Sequence, residues 1–291
     1  MKNYSFLQQQ LHHLSLGSSF VKNSLFEIEK IFFKTSEKDI TNNQHVFISG
    51  LPRSGTTILL LYIHNFKKHA SLTYNDMPFI TAPNLFSRFY KKNLFQRKER
   101  MHSDGIFYDL FSPEAFDEAF FSTFDNDNDI EQNLLKYISL ILKKYNKKKY
   151  LSKNNLNYKR IKLIQKIFPN AIFLIPYRDP LQHSFSLYSQ HKHFIRIQSQ
   201  DKFILSYMNY LGHNEFGKNH KSWFKPKTHN DLNNINYWME QWLLFYENII
   251  NNFQFFKNCK LICYEELCYN NEYTNRMKSI LELSNSSDFK F

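Results

Sequence analysis

Apolar residues along this chain recur in two rhythms, and the alternation between them predicts its elements. Between residues 19 and 34, Phe20, Leu25, Phe26, Ile28, Ile31 and Phe32 fall at mixed three- and four-residue steps, the pattern of an amphipathic helix. Residues 35–44 are polar and read as a loop. Residues 45–49 form a short β-prone run closed by Gly50 and Pro52, and a mostly apolar helix is predicted over 57–66. The stretch 73–129, with its Pro, Gly and many aromatic residues, reads as irregular. Helical periodicity returns over 130–145, 158–168, 181–194, 201–211, 232–256 and 273–283, and strands are predicted at 149–152, 171–177 and 260–264. The run 171–177 is continuously apolar, as a strand buried on both faces must be. Strands alternating with helices predict an α/β fold, three-layered and P-loop-like, around a central mainly parallel sheet. At 291 residues one domain over 1–291 accounts for the chain, with a helical extension at 1–44.

The junction between the first strand and the following helix carries the first candidate chemistry. Gly50-Leu51-Pro52-Arg53-Ser54-Gly55-Thr56-Thr57 would direct consecutive backbone N–H groups and the positive end of a helix dipole at one point, which makes an anion site. Gly55 lets backbone approach a phosphate, Ser54, Thr56 and Thr57 bring hydroxyls, and Arg53 brings a permanently charged planar fork. Gly50 and Gly55 have the spacing of the nucleoside-triphosphatase loop, but Thr56 stands where its lysine must be. That argues against ATP or GTP hydrolysis. A second anion contact is suggested at the end of the buried strand, where Arg178-Asp179-Pro180 precedes a helix carrying Ser184 and Ser186. Ser186 lies about two helical turns beyond Arg178 and reaches the same anion if the chain reverses at Pro180.

These two motifs resemble those of sulfotransferases that use 3′-phosphoadenosine-5′-phosphosulfate (PAPS). Leu51–Thr57 is similar to the family's 5′-phosphosulfate loop, in the arginine form of tyrosylprotein sulfotransferases and many bacterial members. Arg178 with Ser186 resembles the element that holds the 3′-phosphate. The segment from Ser152-Lys153-Asn154 to Arg178 is also similar to that of the tyrosylprotein enzymes, where the matching lysine helps hold the sulfuryl group. The resemblance spans about residues 46–283. It implies transfer of a sulfuryl group from PAPS to a hydroxyl or amine acceptor, with Arg53, Ser54, Gly55, Thr56, Thr57, Arg178 and Ser186 binding the donor. Arg53 and Lys153 would stabilise the charge that moves onto the leaving oxygen, with no catalytic metal.

The acceptor must lose a proton to a base. Asp76, in Tyr74-Asn75-Asp76-Met77-Pro78, follows the loop helix and is the preferred candidate; His102, Asp104 and Glu114 are the alternatives. The segments 77–129 and 195–230 are expected to shape the acceptor pocket, with Gly212-His213-Asn214-Glu215-Phe216-Gly217 lining it. A sugar, lipid headgroup, phenol or peptide tyrosine would each suit.

Charge and cysteine content refine the picture only slightly. Thirty-eight basic against 26 acidic residues give a formal charge of +12, which suits a polyanionic ligand. A nucleotide kinase or triphosphatase, and a non-catalytic anion- or nucleic-acid-binding protein, are the competing readings, but no nucleic-acid-binding module is found and no nucleic acid partner is expected. Three cysteines at 259, 263 and 268 form neither a disulfide framework nor a metal site. The first residues lack an apolar signal core, and no transmembrane run occurs, so a cytoplasmic location is expected.

Overall fold

The structure, a computed structural model, describes residues 4–87, 97–125 and 127–283. Its strands are β1 (Val46–Ile48), β2 (His69–Ala70), β3 (Lys98–Glu99), β4 (Phe107–Tyr108), β5 (Lys149–Lys153), β6 (Ile172–Tyr177) and β7 (Cys259–Cys263). Five of these make one sheet in the order β2-β5-β1-β6-β7, every pairing parallel. In register, Val46 of β1 lies opposite Leu151 and Ile172, and Ile48 opposite Lys153 and Leu174. Because successive side chains point to opposite faces, the short central strand serves both layers at once. Val46 and Ile48 pack with Leu59, Leu60 and Ile63 of the helix Thr56–Asn65. Phe47 faces the other way, its ring stacked 5.6 Å from that of Phe173, above a layer containing Ile138, Ile141 and Ile164.

The expected α/β fold with a parallel sheet is therefore observed. Consecutive parallel strands need helical crossovers, and the helices Thr56–Asn65, Ile130–Tyr145 and Ile161–Ile167 fill that role. The carboxyl ends of the neighbours β5, β1 and β6 meet at one edge, where open α/β sheets hold their ligands.

Several local expectations are corrected. Within the expected helical extension, Phe6–Leu16 is a separate helix before Ser19–Phe32, opened by a reciprocal capping box of Ser5 and Gln8. Two-residue β2 is too short to show a pattern. The stretch 73–129 is not wholly irregular: β3 and β4 form an antiparallel hairpin and Glu118–Phe124 a helix. Its residues 88–96 and 126 lie outside the described residues. The helix after β6 runs from Pro180 to Gln200, capped by Asp179, which accepts from the Gln182 N–H at 2.8 Å. Among the described residues no helix is long and apolar enough to cross a membrane.

Candidate active site

From β1 the chain turns through Arg53, whose φ is 72°, and Gly55, whose φ is 96°. Gly55 is the N-cap of the helix Thr56–Asn65 and gives it no side-chain cap, so the first-turn N–H groups are open to a ligand. A Cβ on Gly55 would lie 2.4 Å from the Tyr264 ring, and nothing larger than glycine fits. Ser54 does not face the ligand side: it is buried and donates to the Leu51 carbonyl at 2.7 Å, bracing the turn. His183, which sequence reasoning passed over, holds the loop from below, Nε2 lying 2.8 Å from the Pro52 carbonyl. Burial brings its pKa down to about 4, so the ring is neutral and this nitrogen donates.

Arg178 leaves the end of β6 and reaches this turn. Its Nη1 lies 3.5 Å from the Arg53 carbonyl, and its Nη2 donates to Gln182 at 3.2 Å. The guanidinium sits 5.3 Å from the Tyr264 ring centre, and Nε is buried without a hydrogen-bond partner among the described residues. An ion pair with Asp179 or Glu265 is not what holds it: Glu265 instead accepts from the Asp179 N–H at 3.0 Å. Ser186, two turns along the helix, accepts from Arg53 Nε at 3.1 Å. The loop, Arg178 and Ser186 thus converge. Arg53, Gly55, Thr56, Thr57, Arg178 and Tyr264 line one cleft of about 490 Å³, counted with its open mouth.

A third arginine, Arg100 on the β3–β4 hairpin, completes the wall, and no sequence motif announced it. It donates to Thr57 Oγ1 at 3.1 Å, to Glu114 at 3.2 Å and, through Nη2, to Asp104 at 2.5 Å. Asp104 also takes Arg53 Nη1 at 2.6 Å. Burial alone would lower the Arg100 pKa, but Asp104 and Glu114 outweigh it and raise the value. Lys153, at the end of β5, is buried with Nζ 3.7 Å from Glu114. Burial holds its pKa below the ordinary lysine value against the pull of that carboxylate. Glu114 would be raised by burial; Lys153 and Arg100 bring it down to about 2.

Behind this wall opens a second cleft of about 930 Å³, again counted with its mouth. Arg53, Thr56, Thr57 and Arg100 line both clefts, while Lys153, Glu114 and His102 line only the second. Its remaining surface is mostly rings, among them Tyr74 and Tyr108, stacked 4.2 Å apart, and Phe116. His213, Glu215 and Phe216 line it too.

Asp76 requires a correction. It is buried and absent from the cleft lining. One carboxylate oxygen pairs with Lys144; the other accepts from the Thr73 N–H at 2.7 Å and the Tyr145 hydroxyl at 2.5 Å. The carboxylate is occupied in tying its turn to the helix Ile130–Tyr145, which the Tyr-x-Asp-Met-Pro pattern does not reveal. Among the described residues, no three His, Cys, Asp or Glu side chains converge as metal ligands would.

Comparison with solved structures gives the fold the same reading. Sulfotransferase STF1 from Mycobacterium tuberculosis H37Rv superposes with a TM-score of 0.54 at 12% identity, over 97% of this chain and 79% of that one. Sulfotransferase STF9 from Mycobacterium avium superposes with a TM-score of 0.51 at 13% identity, over 97% and 74%. No curated protein matches by sequence. The model of the sulfotransferase family matches residues 45–213, more than half of the chain, running from the start of β1 past the loop 50–57, Lys153, Arg178 and Ser186. The chain therefore belongs to the sulfotransferase family.

Proposed function

We propose that the protein transfers a sulfuryl group from PAPS to a hydroxyl or amine acceptor. The observation that carries this reading is the convergence of Arg178 on the loop at Gly55, two cationic anchors in one cleft for an adenosine phosphorylated at both ends. The residues present fit such a donor. Uncapped N–H groups and Arg53 suit the 5′ anion, while Arg178, with its unpartnered Nε, and Ser186 suit the 3′-phosphate. The loop is P-loop-like in form, with Thr56 in place of the lysine of triphosphatases.

The donor supplies an activated sulfuryl group on a phosphate leaving group. In the transfer a bond forms between the acceptor oxygen or nitrogen and sulfur, and the bond from sulfur to the bridging oxygen breaks. Charge then grows on that oxygen, and Arg53, Lys153 and the loop amides are the fixed positive groups at hand. The acceptor's proton passes to a base in the second cleft, and Glu114, which unlike Asp76 lines it and pairs with Lys153, is the candidate. Its basicity is suppressed by Lys153 and Arg100, and any anion that draws these cations off returns it to a stronger base.

Thermal shift with 3′,5′-adenosine bisphosphate, AMP and ATP tests the reading. The bisphosphate is expected to stabilise selectively. Equal shifts from AMP, or a larger one from ATP with magnesium, would overturn it.

A further inference from the structure

The second cleft has two chemically unlike ends. One carries Lys153, Glu114 and Arg100 beside the phosphate loop. The other is built from Tyr4, Phe194, Tyr207, Met208, Leu211 and Phe216. We infer that the acceptor is a compact apolar compound presenting one reacting hydroxyl, an alcohol or phenol, and not a sugar or a peptide. The inference rests on the sulfuryl-transfer reading above.

Tyr4 and Tyr207 pack against one another, their ring centres 5.6 Å apart. Two polar side chains near the ring-lined end are already engaged. The His213 ring lies 2.8 Å from the Ala115 carbonyl, and Glu215 accepts from Asn155 Nδ2 at 2.9 Å. A sugar would bring several hydroxyls, and a peptide its backbone groups, to a surface with few partners left for them. Buried polar groups left unpaired weaken binding. Rings, by contrast, pack favourably against an apolar body by edge and face contacts. Asn155 follows Lys153 by two residues and is itself buried. It lines this cleft, and its buried Oδ1 has no hydrogen-bond partner among the described residues.

Tyr4 sets the far limit. It comes from the segment before the helix Phe6–Leu16, and its ring lies against His12 at 4.9 Å and Phe203 at 5.5 Å. An N-terminal residue thus walls a pocket whose reactive end belongs to β5 and the phosphate loop.

The test measures sulfate transfer by the full chain to 2-naphthol, 1-decanol, glucose and a tyrosine-containing peptide. Bisphosphate binding is followed separately, and naphthol binding by equilibrium dialysis. Naphthol or decanol is expected to exceed glucose and the peptide in kcat/KM by about a hundredfold or more; which of the two wins distinguishes a ring from a chain. Tyr4→Ala is expected to weaken naphthol binding about tenfold while bisphosphate affinity stays within error. Glucose or the peptide matching naphthol would overturn the inference. So would bisphosphate binding accompanied by neither binding nor turnover of both apolar alcohols, an outcome that leaves the donor reading standing. Absence of bisphosphate binding instead removes the donor reading. In that case equal naphthol affinity in the wild type and Tyr4→Ala would remove the acceptor inference as well.

Discussion

The two clefts that share Arg53, Thr56, Thr57 and Arg100 are built by opposite means. The first is mostly backbone: a strand end, a turn with two residues at positive φ and an uncapped helix start, with Arg178 arriving from the adjacent strand. The second is mostly side chain, with rings from the N-terminal segment, the turn at Tyr74, the β3–β4 hairpin and later helices and loops. A backbone site depends on a few glycines and on strand register, and tolerates little change. A side-chain site can be refitted one ring at a time. Binding of the donor and choice of the acceptor should therefore be separable by mutation.

The largest expected effect lies where the two clefts meet. Glu114→Gln keeps the shape of the side chain and removes its capacity to take a proton. Turnover should fall by about 10²- to 10⁴-fold, the usual contribution of a general base. Bisphosphate affinity, measured calorimetrically, should hold. A variant with near wild-type kcat would show that Glu114 only pairs with Lys153 and Arg100. Arg178→Ala makes the opposite cut. It should weaken the bisphosphate by about tenfold to a hundredfold, as expected for hydrogen bonds between charged groups, and bring its affinity close to that of AMP. Naphthol binding should be untouched. Retained selectivity for the 3′-phosphate would place that anchor elsewhere.

This division also explains what could be read from the amino-acid order. The first cleft was legible because its parts are contiguous: Arg53 to Thr57 occupy one turn, and Arg178 and Ser186 flank one helix start. The sheet was legible because Val46–Ile48 and Ile172–Tyr177 are apolar on both faces. Arg100 was not, since nothing around it is periodic and only the hairpin brings it to Thr57. Asp76 misled for a related reason. Its neighbours in sequence resemble a site motif, while its partners, Lys144 and Tyr145, lie almost seventy residues away. The helical extension was expected, but not that Tyr4 ahead of its first helix lines the second cleft.

Acid should undermine the strand that feeds the phosphate loop. His45 precedes β1, with Nε2 2.8 Å from the Ile40 carbonyl and Nδ1 accepting from the Tyr150 N–H at 2.9 Å, while His183 supports Pro52. Burial brings both pKa values down to about 4. The folded chain therefore keeps these rings neutral, while the unfolded chain takes up protons below about pH 6.5, the ordinary histidine value. Their stabilising effect is complete above that pH and lost progressively as the pH falls towards 4. The slope is at most about 1.4 kcal/mol per pH unit for each ring. Urea midpoints measured between pH 8 and 5, above the range where the carboxylates titrate, should decline in the lower half. A flat profile would mean that the rings charge without loss.

The smallest expected effect on turnover is that of Asp76→Asn, and it sharpens the boundary of the site most. The substitution is nearly isosteric but leaves Lys144, whose side chain is only 10% exposed, without its counter-charge. Removing one partner of a buried ion pair costs about 3 kcal/mol or more, so the unfolding midpoint should fall clearly. Turnover per folded molecule should not, because the carboxylate faces Thr73, Lys144 and Tyr145 and lines neither cleft. Assays well below the lowered midpoint separate the two quantities. If turnover per folded molecule dropped a hundredfold while bisphosphate affinity held, Asp76 would have to reach the acceptor, and the cleft at Glu114 would not be where the proton is taken.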